Sequence, residues 1–568
     1  MEVNAIGIES NFGLIDWCIV IGYLLVIVAI GVYIKRYISN VTDFIVAGRG
    51  LKTFLAVATM IGTELGLVTV MYSAQKGFTG GFAAFHIALA AAIVTLVVGL
   101  SGFIVVPLRR MKIMTIPEFY ERRFGRGVRI LGGTILAFSG ILNMGLFLKA
   151  GAIFVMGITN IGVTNITPDM ELALGTELKI IMTVLLGCVL LYTALGGMVS
   201  VVVLDYIQFV VLSFSLLVTS LLSIRHLCWQ NIIETVSELK GAAGFNPFHP
   251  PPDGFGTLYV VWMFFLGLVS CAVWQTAVIR ACAAESVRVV KRLYIWSSIG
   301  FLIRFLLPYF FGICALVFIV QNESLRSIFL PEGAQASSDI TLMAMPVFLG
   351  QILPAGLIGI VSAGMLAAFM STHDSYLLCW SSVLTQDVVA PWFKEGLSSQ
   401  ARLLLTRIFI VAIGIFILVW GLWYDLGQDL WDYMAISGAI YFTGAIALLV
   451  FGLYWKRASK VGAYSALVCG FLAIVGLTPV QNRLGFLLNP VKSHFGFTKE
   501  IPIEEITDKT VLVFKDIPIE EVSEKTVLVY DTIGSEIVGL TVIALAMVLM
   551  VAGSLLFPDR TKPLDRKE

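Results

Sequence analysis

The stretch Gly356–Val389, GLIGIVSAGMLAAFMSTHDSYLLCWSSVLTQDVV, decides how this chain is read. It begins with small and apolar residues of the kind that fill a membrane-crossing helix. At bilayer depth it then sets Ser371, Thr372, His373, Asp374 and Ser375 in succession. Polar groups in hydrocarbon are costly, and ionisable ones face a partner or a water-filled path. On a helix, Ser371, Asp374 and Ser375 share one face, and Ala368 lies about one turn earlier with its carbonyl aimed at the same level. Hydroxyls, a carboxylate and a carbonyl are hard oxygen ligands, suited to an alkali cation and poorly suited to zinc or copper. Ser and Thr also act as hydrogen-bonding glue between membrane helices. The Asp374 carboxylate moves the reading toward an ion site.

Composition agrees with a membrane chain. Of 568 residues, 58% are hydrophobic and 13% charged, and the mean hydropathy is +0.92. Apolar runs near ~20 residues, the length that crosses a bilayer, recur throughout. Thirteen spans are expected, at 13–35, 53–75, 82–107, 128–157, 178–196, 200–223, 256–281, 293–320, 343–386 (two pieces or one long tilted helix), 402–424, 430–455, 460–478 and 535–557. The first apolar run, Trp17–Ile34, has no basic segment before it and reads as a retained span. The eight cysteines are scattered without a CxxC pair, so neither a disulfide framework nor a metal cluster follows. A net charge of +1 gives nucleic-acid binding no support.

Basic residues give the expected orientation. Lys35, Arg36, Arg49 and Lys52 follow the first span, Arg109 to Arg129 the third, Arg280 to Arg292 the seventh, and Lys456, Arg457 and Lys460 the eleventh. The loop after the tenth span carries Asp425 and Asp429 and no Lys or Arg. The amino terminus is therefore expected outside and the tail, Asp559–Glu568, in the cytoplasm. Outside, NPFHPPPD at 246–253 reads as a stiff connector. IPIEEITDKTVLVFKD at 501–516 is followed by IPIEEVSEKTVLVYDT at 517–532, ten of sixteen positions being identical. This tandem repeat is read as a small β ornament with no part in transport.

The second span carries Gly62, Thr63, Glu64, Leu65 and Gly66 at its middle. Glycines flanking an acid at this depth favour an unwound turn whose carbonyls seek a cation or a donor. Candidate partners for Glu64 are Lys149, Arg304, a bound cation or a cationic solute group. His86, alone on an apolar face, is more often packing than a site.

Several segments together resemble one family. DFIVAGRGL at 43–51, MTIPEFYERRFG at 114–125, YTALGGMVSVVVLDYIQFVV at 192–211, WQTAVIRACAAESVRVVKR at 274–292, AAFMSTHDS at 367–375 and SVLTQDV at 382–388 resemble the signatures of the sodium/solute symporter family, which includes proline, sialic acid, sugar and choline carriers. The resemblance covers about residues 13–478 and implies an all-α polytopic protein with leucine-transporter-like inverted five-helix repeats. The implied organisation is a first span and inner loop at 1–52, a first repeat at 53–223, an outer loop at 224–255 and a second repeat at 256–455. A twelfth span follows at 456–478, the repeat-bearing loop at 479–534, and the last span with its tail at 535–568. The resemblance also implies Na+ bound by carbonyls of Gly62, Leu65 and Ala368 and hydroxyls of Ser371 and Thr372, and a second sodium position at Asp205, Asp374 and Ser375. The family usually has a hydroxyl where Asp374 stands, so this acid could equally serve a proton. At the solute positions Glu64, Lys149, His86, Trp274 and Gln275 the match weakens. Choline carriers place an aromatic at the Glu64 position, and sugar carriers a carboxylate at the His86 position.

The expected function is sodium-coupled symport of a small organic solute by alternating access, in a plasma or bacterial inner membrane. A proton-coupled carrier of the same fold or a passive channel is the alternative. An enzyme would need a nucleophile–base or metal constellation, which five scattered histidines do not supply. The sequence names neither the solute nor the oligomeric state.

Overall fold

A computed structural model describes residues 9–34, 47–162, 175–331, 336–393, 397–424, 428–494, 498–502, 519–523, 526–530 and 532–559. The basic residues Lys35 and Arg36, Asp425, most of the tail and residues 503–518 of the tandem repeat lie outside these.

Nearly every described element is a helix, as long apolar runs require where backbone groups must be satisfied within the segment. Among the described residues eight helices are long and apolar enough to cross a membrane, or nine if a bent pair counts as one span. Shorter apolar helices lie at Leu14–Ile30, Thr53–Glu64, Ser338–Ile352 and Lys460–Gly476.

Two helices are broken, and they open the two expected five-helix sets in corresponding positions. In the first, α1 (Thr53–Glu64) stops and α2 (Leu67–Gly80) begins after the non-helical pair Leu65–Gly66, of which Gly66 is extended. The unwinding is narrower than the sequence suggested, because Gly62, Thr63 and Glu64 stay helical. In the second, α3 (Gly256–Ala272) and α4 (Gln275–Ala283) meet at a bend of 42°. No glycine or proline stands at Val273–Trp274. Packing holds this bend, with the Trp274 ring lying edge-on to Trp380 at 5.1 Å.

Small residues let the central helices touch. The helix α5 (Val287–Gln321) lies against α2. A Cβ added at Gly312 would stand 1.8 Å from the Ala74 carbonyl oxygen, and one at Gly77 would stand 2.0 Å from that of Tyr309. Backbones can approach this closely only without side chains between them.

One expected alternative is decided and one boundary changes. Of the two forms expected for 343–386, the structure has the two pieces, the first beginning earlier, at Ser338. Ser338–Ile352 is a separate helix, α6, and α7 runs over Leu357–Val383, because Pro354 and the positive-φ Gly356 interrupt the chain between them. The spans expected at 178–196 and 200–223 are joined in one run of helix, Thr176–Leu227, of which Val202–Leu227 is by itself long and apolar enough to cross a membrane. Gly196 and Gly197 between them only weaken a helix, by about 1 kcal/mol each, and no proline stops it. Residues 246–253 form turns, as their prolines require. Strands β1 (Thr498–Pro502), β2 (Ile519–Ser523) and β3 (Thr526–Tyr530) form an antiparallel sheet in the order β1-β3-β2. The described part of the repeat is thus β structure.

Candidate functional site

The break at Leu65–Gly66 and the hydroxyl face of α7 meet inside the bundle. The Ser371 hydroxyl lies 3.3 Å from the carbonyl oxygens of both Gly62 and Ala368. The Thr372 hydroxyl lies 3.2 Å from the Thr63 carbonyl and 3.0 Å from that of Ala368. A Cβ at Gly66 would fall 2.0 Å from Thr372 Oγ1, so only glycine admits this contact. Both hydroxyl residues are buried, at 0% and 5% exposure. Four of the five oxygen donors expected for sodium are therefore gathered. Leu65 stands at the break itself, where its amide donates to the Ile61 carbonyl at 2.7 Å.

One turn further along α7 lies a second, charged cluster. Asp205 Oδ2 accepts from Thr59 Oγ1 at 2.6 Å and from Thr63 Oγ1 at 2.9 Å. Ser375 Oγ stands 3.1 Å from Thr63 Oγ1 and donates to Asp374 Oδ1 at 3.4 Å. The expected trio Asp205, Asp374 and Ser375 is thus brought together, but with an unexpected member. Arg280, from α4, donates to Ser375 Oγ at 3.0 Å, to Thr63 Oγ1, and to the Thr59 carbonyl at 3.2 Å, and its Nη2 stands 3.6 Å from Asp205 Oδ2. Thr59 and Thr63 were not singled out, although hydroxyls four residues apart on a span carry the same signal as Ser371 and Ser375.

Beside the break is a cavity of about 110 Å³, lined among others by Glu64, Arg304, Tyr72, Trp274, Tyr376 and Trp431. Glu64 Oε2 pairs with Arg304 Nη1 at 2.7 Å, and Glu64 Oε1 accepts from Thr276 Oγ1 at 3.2 Å. The Arg304 guanidinium lies over the rings of Phe301 and Phe305, 4.1 and 4.3 Å from their centroids. Trp274 Nε1 donates to the Tyr376 hydroxyl at 3.3 Å. The aromatic walls Tyr72, Tyr376 and Trp431 come from three separate helices and Trp274 from the bend between α3 and α4, so no local spacing could have revealed them.

The other expected solute residues lie elsewhere. Lys149 pairs with Asp339 of α6 at 2.9 Å rather than with Glu64. The distance between helices, which the sequence does not encode, decides that choice. His86 Nδ1 meets the Ala83 carbonyl at 2.7 Å and its ring packs edge-on to Phe255, so it reads as packing. Gln275, next to Trp274, turns away from the cavity and holds the Ile116 amide and the Met114 carbonyl at 2.9 and 3.3 Å.

The sodium:solute symporter family profile matches residues 44–470. This chain belongs to that family. It is 24% identical to the sodium/sialic acid symporter of Proteus mirabilis over 82% of this chain and 90% of that protein. It is also 24% identical to the bovine sodium/myo-inositol cotransporter over 81% of this chain, but spans only 66% of that longer protein. A solved structure of a Na+-coupled sialic acid symporter in a substrate-bound outward-open state superposes with a TM-score of 0.71 at 18% identity, covering 97% of this chain. The fold is therefore that of the leucine-transporter class. The protein is a multi-pass membrane carrier of the sodium-coupled symporter family, not an enzyme.

Proposed function

We propose that this symporter holds one Na+ between the break and α7, on carbonyls of Gly62, Leu65 and Ala368 and hydroxyls of Ser371 and Thr372, and carries a small organic solute in the adjoining cavity. The observation that carries the reading is the convergence of the Ser371 and Thr372 hydroxyls on the carbonyls of Gly62, Thr63 and Ala368, at 3.0–3.3 Å. These are neutral oxygens of the hard kind that replace an alkali cation's water. Consecutive residues serve the two cargoes, since the Thr63 carbonyl belongs to the ion's cluster and Glu64 to the cavity. Filling one site stiffens the turn that shapes the other, which is the coupling a symporter needs. At the second cluster the Arg280 guanidinium stands beside Asp205 and takes the place a cation would have next to that carboxylate. The basic loops support an orientation with the amino terminus outside and the tail in the cytoplasm.

Thermal stability of the purified carrier, titrated with sodium and with potassium, tests the ion site. Saturable stabilisation by sodium alone is expected. Equal stabilisation by both ions removes the assignment.

A further inference from the structure

We infer that the solute carries a carboxylate, received by the uncommitted edge of Arg304. This rests on the reading of the cavity as the solute site and names the chemistry of what enters it.

Arg304 lines the cavity and is 4% exposed. Both its hydrogen bonds leave from one nitrogen, Nη1, which meets the carboxylate and the carbonyl of Glu64 at 2.7 and 3.1 Å. Its Nε is buried without an acceptor. Phe301 and Phe305 hold the guanidinium plane, so the edge bearing Nε and Nη2 stays fixed in orientation. A planar donor fork held in this way matches the two oxygens of a carboxylate. Trp431, another residue lining the cavity, also has a buried indole Nε1 without an acceptor. Buried donors without acceptors are costly, and a ligand's acceptors remove that cost.

Charge counting agrees. Glu64 and Arg304 cancel, so an anion entering alone would leave a net negative charge at bilayer depth. One Na+ at the neutral oxygen cluster beside it restores balance, so carboxylate and sodium enter as an electroneutral pair. Glu64 keeps lone pairs beyond the bonds to Thr276 and Arg304, and these suit a hydroxyl or N–H elsewhere on the solute. The cavity of about 110 Å³ has room for roughly seven to eleven water-sized groups, the size of a small acid.

The test uses the purified full-length carrier in sodium chloride, with thermal stabilisation as the readout. Probes are acid–amide pairs of equal shape: benzoate and benzamide, lactate and lactamide, N-acetylalanine and its amide, and pyroglutamate and its amide. At least one acid is expected to stabilise saturably, with its amide weaker by tenfold or more, roughly the worth of a hydrogen bond to a charged group. Arg304→Lys, which keeps the charge and the pairing with Glu64 but loses the fork, should weaken the acid at least tenfold and leave the sodium midpoint in place. Equal binding of acid and amide, binding by no acid, or an unaltered acid midpoint in Arg304→Lys overturns the inference. If that variant does not fold, the wild-type pairs decide alone. Acid binding without any sodium-specific stabilisation would instead sink the symporter ion site and leave this inference standing.

Discussion

Two oxygen clusters lie one turn apart on α7 and differ in what balances them. At the first, the hydroxyls of Ser371 and Thr372 meet only carbonyls, and no formal charge is present. At the second, Asp205 and Ser375 share Thr63 and Arg280, Asp374 lies beside Ser375, and all three charged side chains are buried. A neutral cluster can take up and release a cation because no bare charge remains when the ion leaves. A cluster built around carboxylates cannot lose its cation so cheaply, since an unpaired buried charge costs several kcal/mol. The comparison sets the proposed exchange site against a cluster held by its own charges, although both are buried oxygen clusters on the same helix.

The largest effect is expected from breaking the permanent cluster. Arg280→Met or Asp205→Asn alone should destabilise the carrier by about 3–5 kcal/mol, and the double variant should recover much of that loss. Melting temperatures of the three variants in detergent check this. Additive losses in the double variant would show that the two groups do not act as a pair.

Next is the exchangeable cluster. Ser371→Ala with Thr372→Ala removes two ligands at about 1–3 kcal/mol each, so the sodium midpoint should rise tenfold or more, on top of the stability lost with the two hydrogen bonds when sodium is absent. An unchanged midpoint places the ion elsewhere and dissolves the contrast. Gly66→Ala, which drives a methyl into Thr372, should act in the same direction.

A smaller effect is expected at His86, where the structure shows packing. His86→Phe keeps the ring and loses one hydrogen bond, so a change of about 1 kcal/mol or less in stability and none in solute binding is expected. A lost solute response would return His86 to the site. The smallest effect comes from the outer sheet. Deleting 499–532 across a short Gly/Ser bridge should leave the sodium midpoint as it is. Loss of the sodium response in a correctly inserted deletion variant would mean that the sheet acts on the carrier.

The sequence by itself determined the helical membrane class, the hydroxyl-bearing face of α7 and the weak point at Gly62–Gly66. Each of these is local. Apolar length, 3.6-residue periodicity and glycines beside an acid act within one segment, so they can be read along the chain. The α6–α7 boundary was also legible, since Pro354 and Gly356 mark it. Tertiary structure alone decided that Glu64 pairs with Arg304 and Lys149 with Asp339, that Arg280 enters the Asp205 cluster, and that Trp431, Tyr376 and Tyr72 wall the cavity. Each of these depends on how far one helix has slid and turned against another. A shift of one residue, 1.5 Å along the axis and about 100° around it, would hand a charge to a different partner. Packing of small residues such as Gly77 and Gly312 sets that register, and nothing in either segment alone records it.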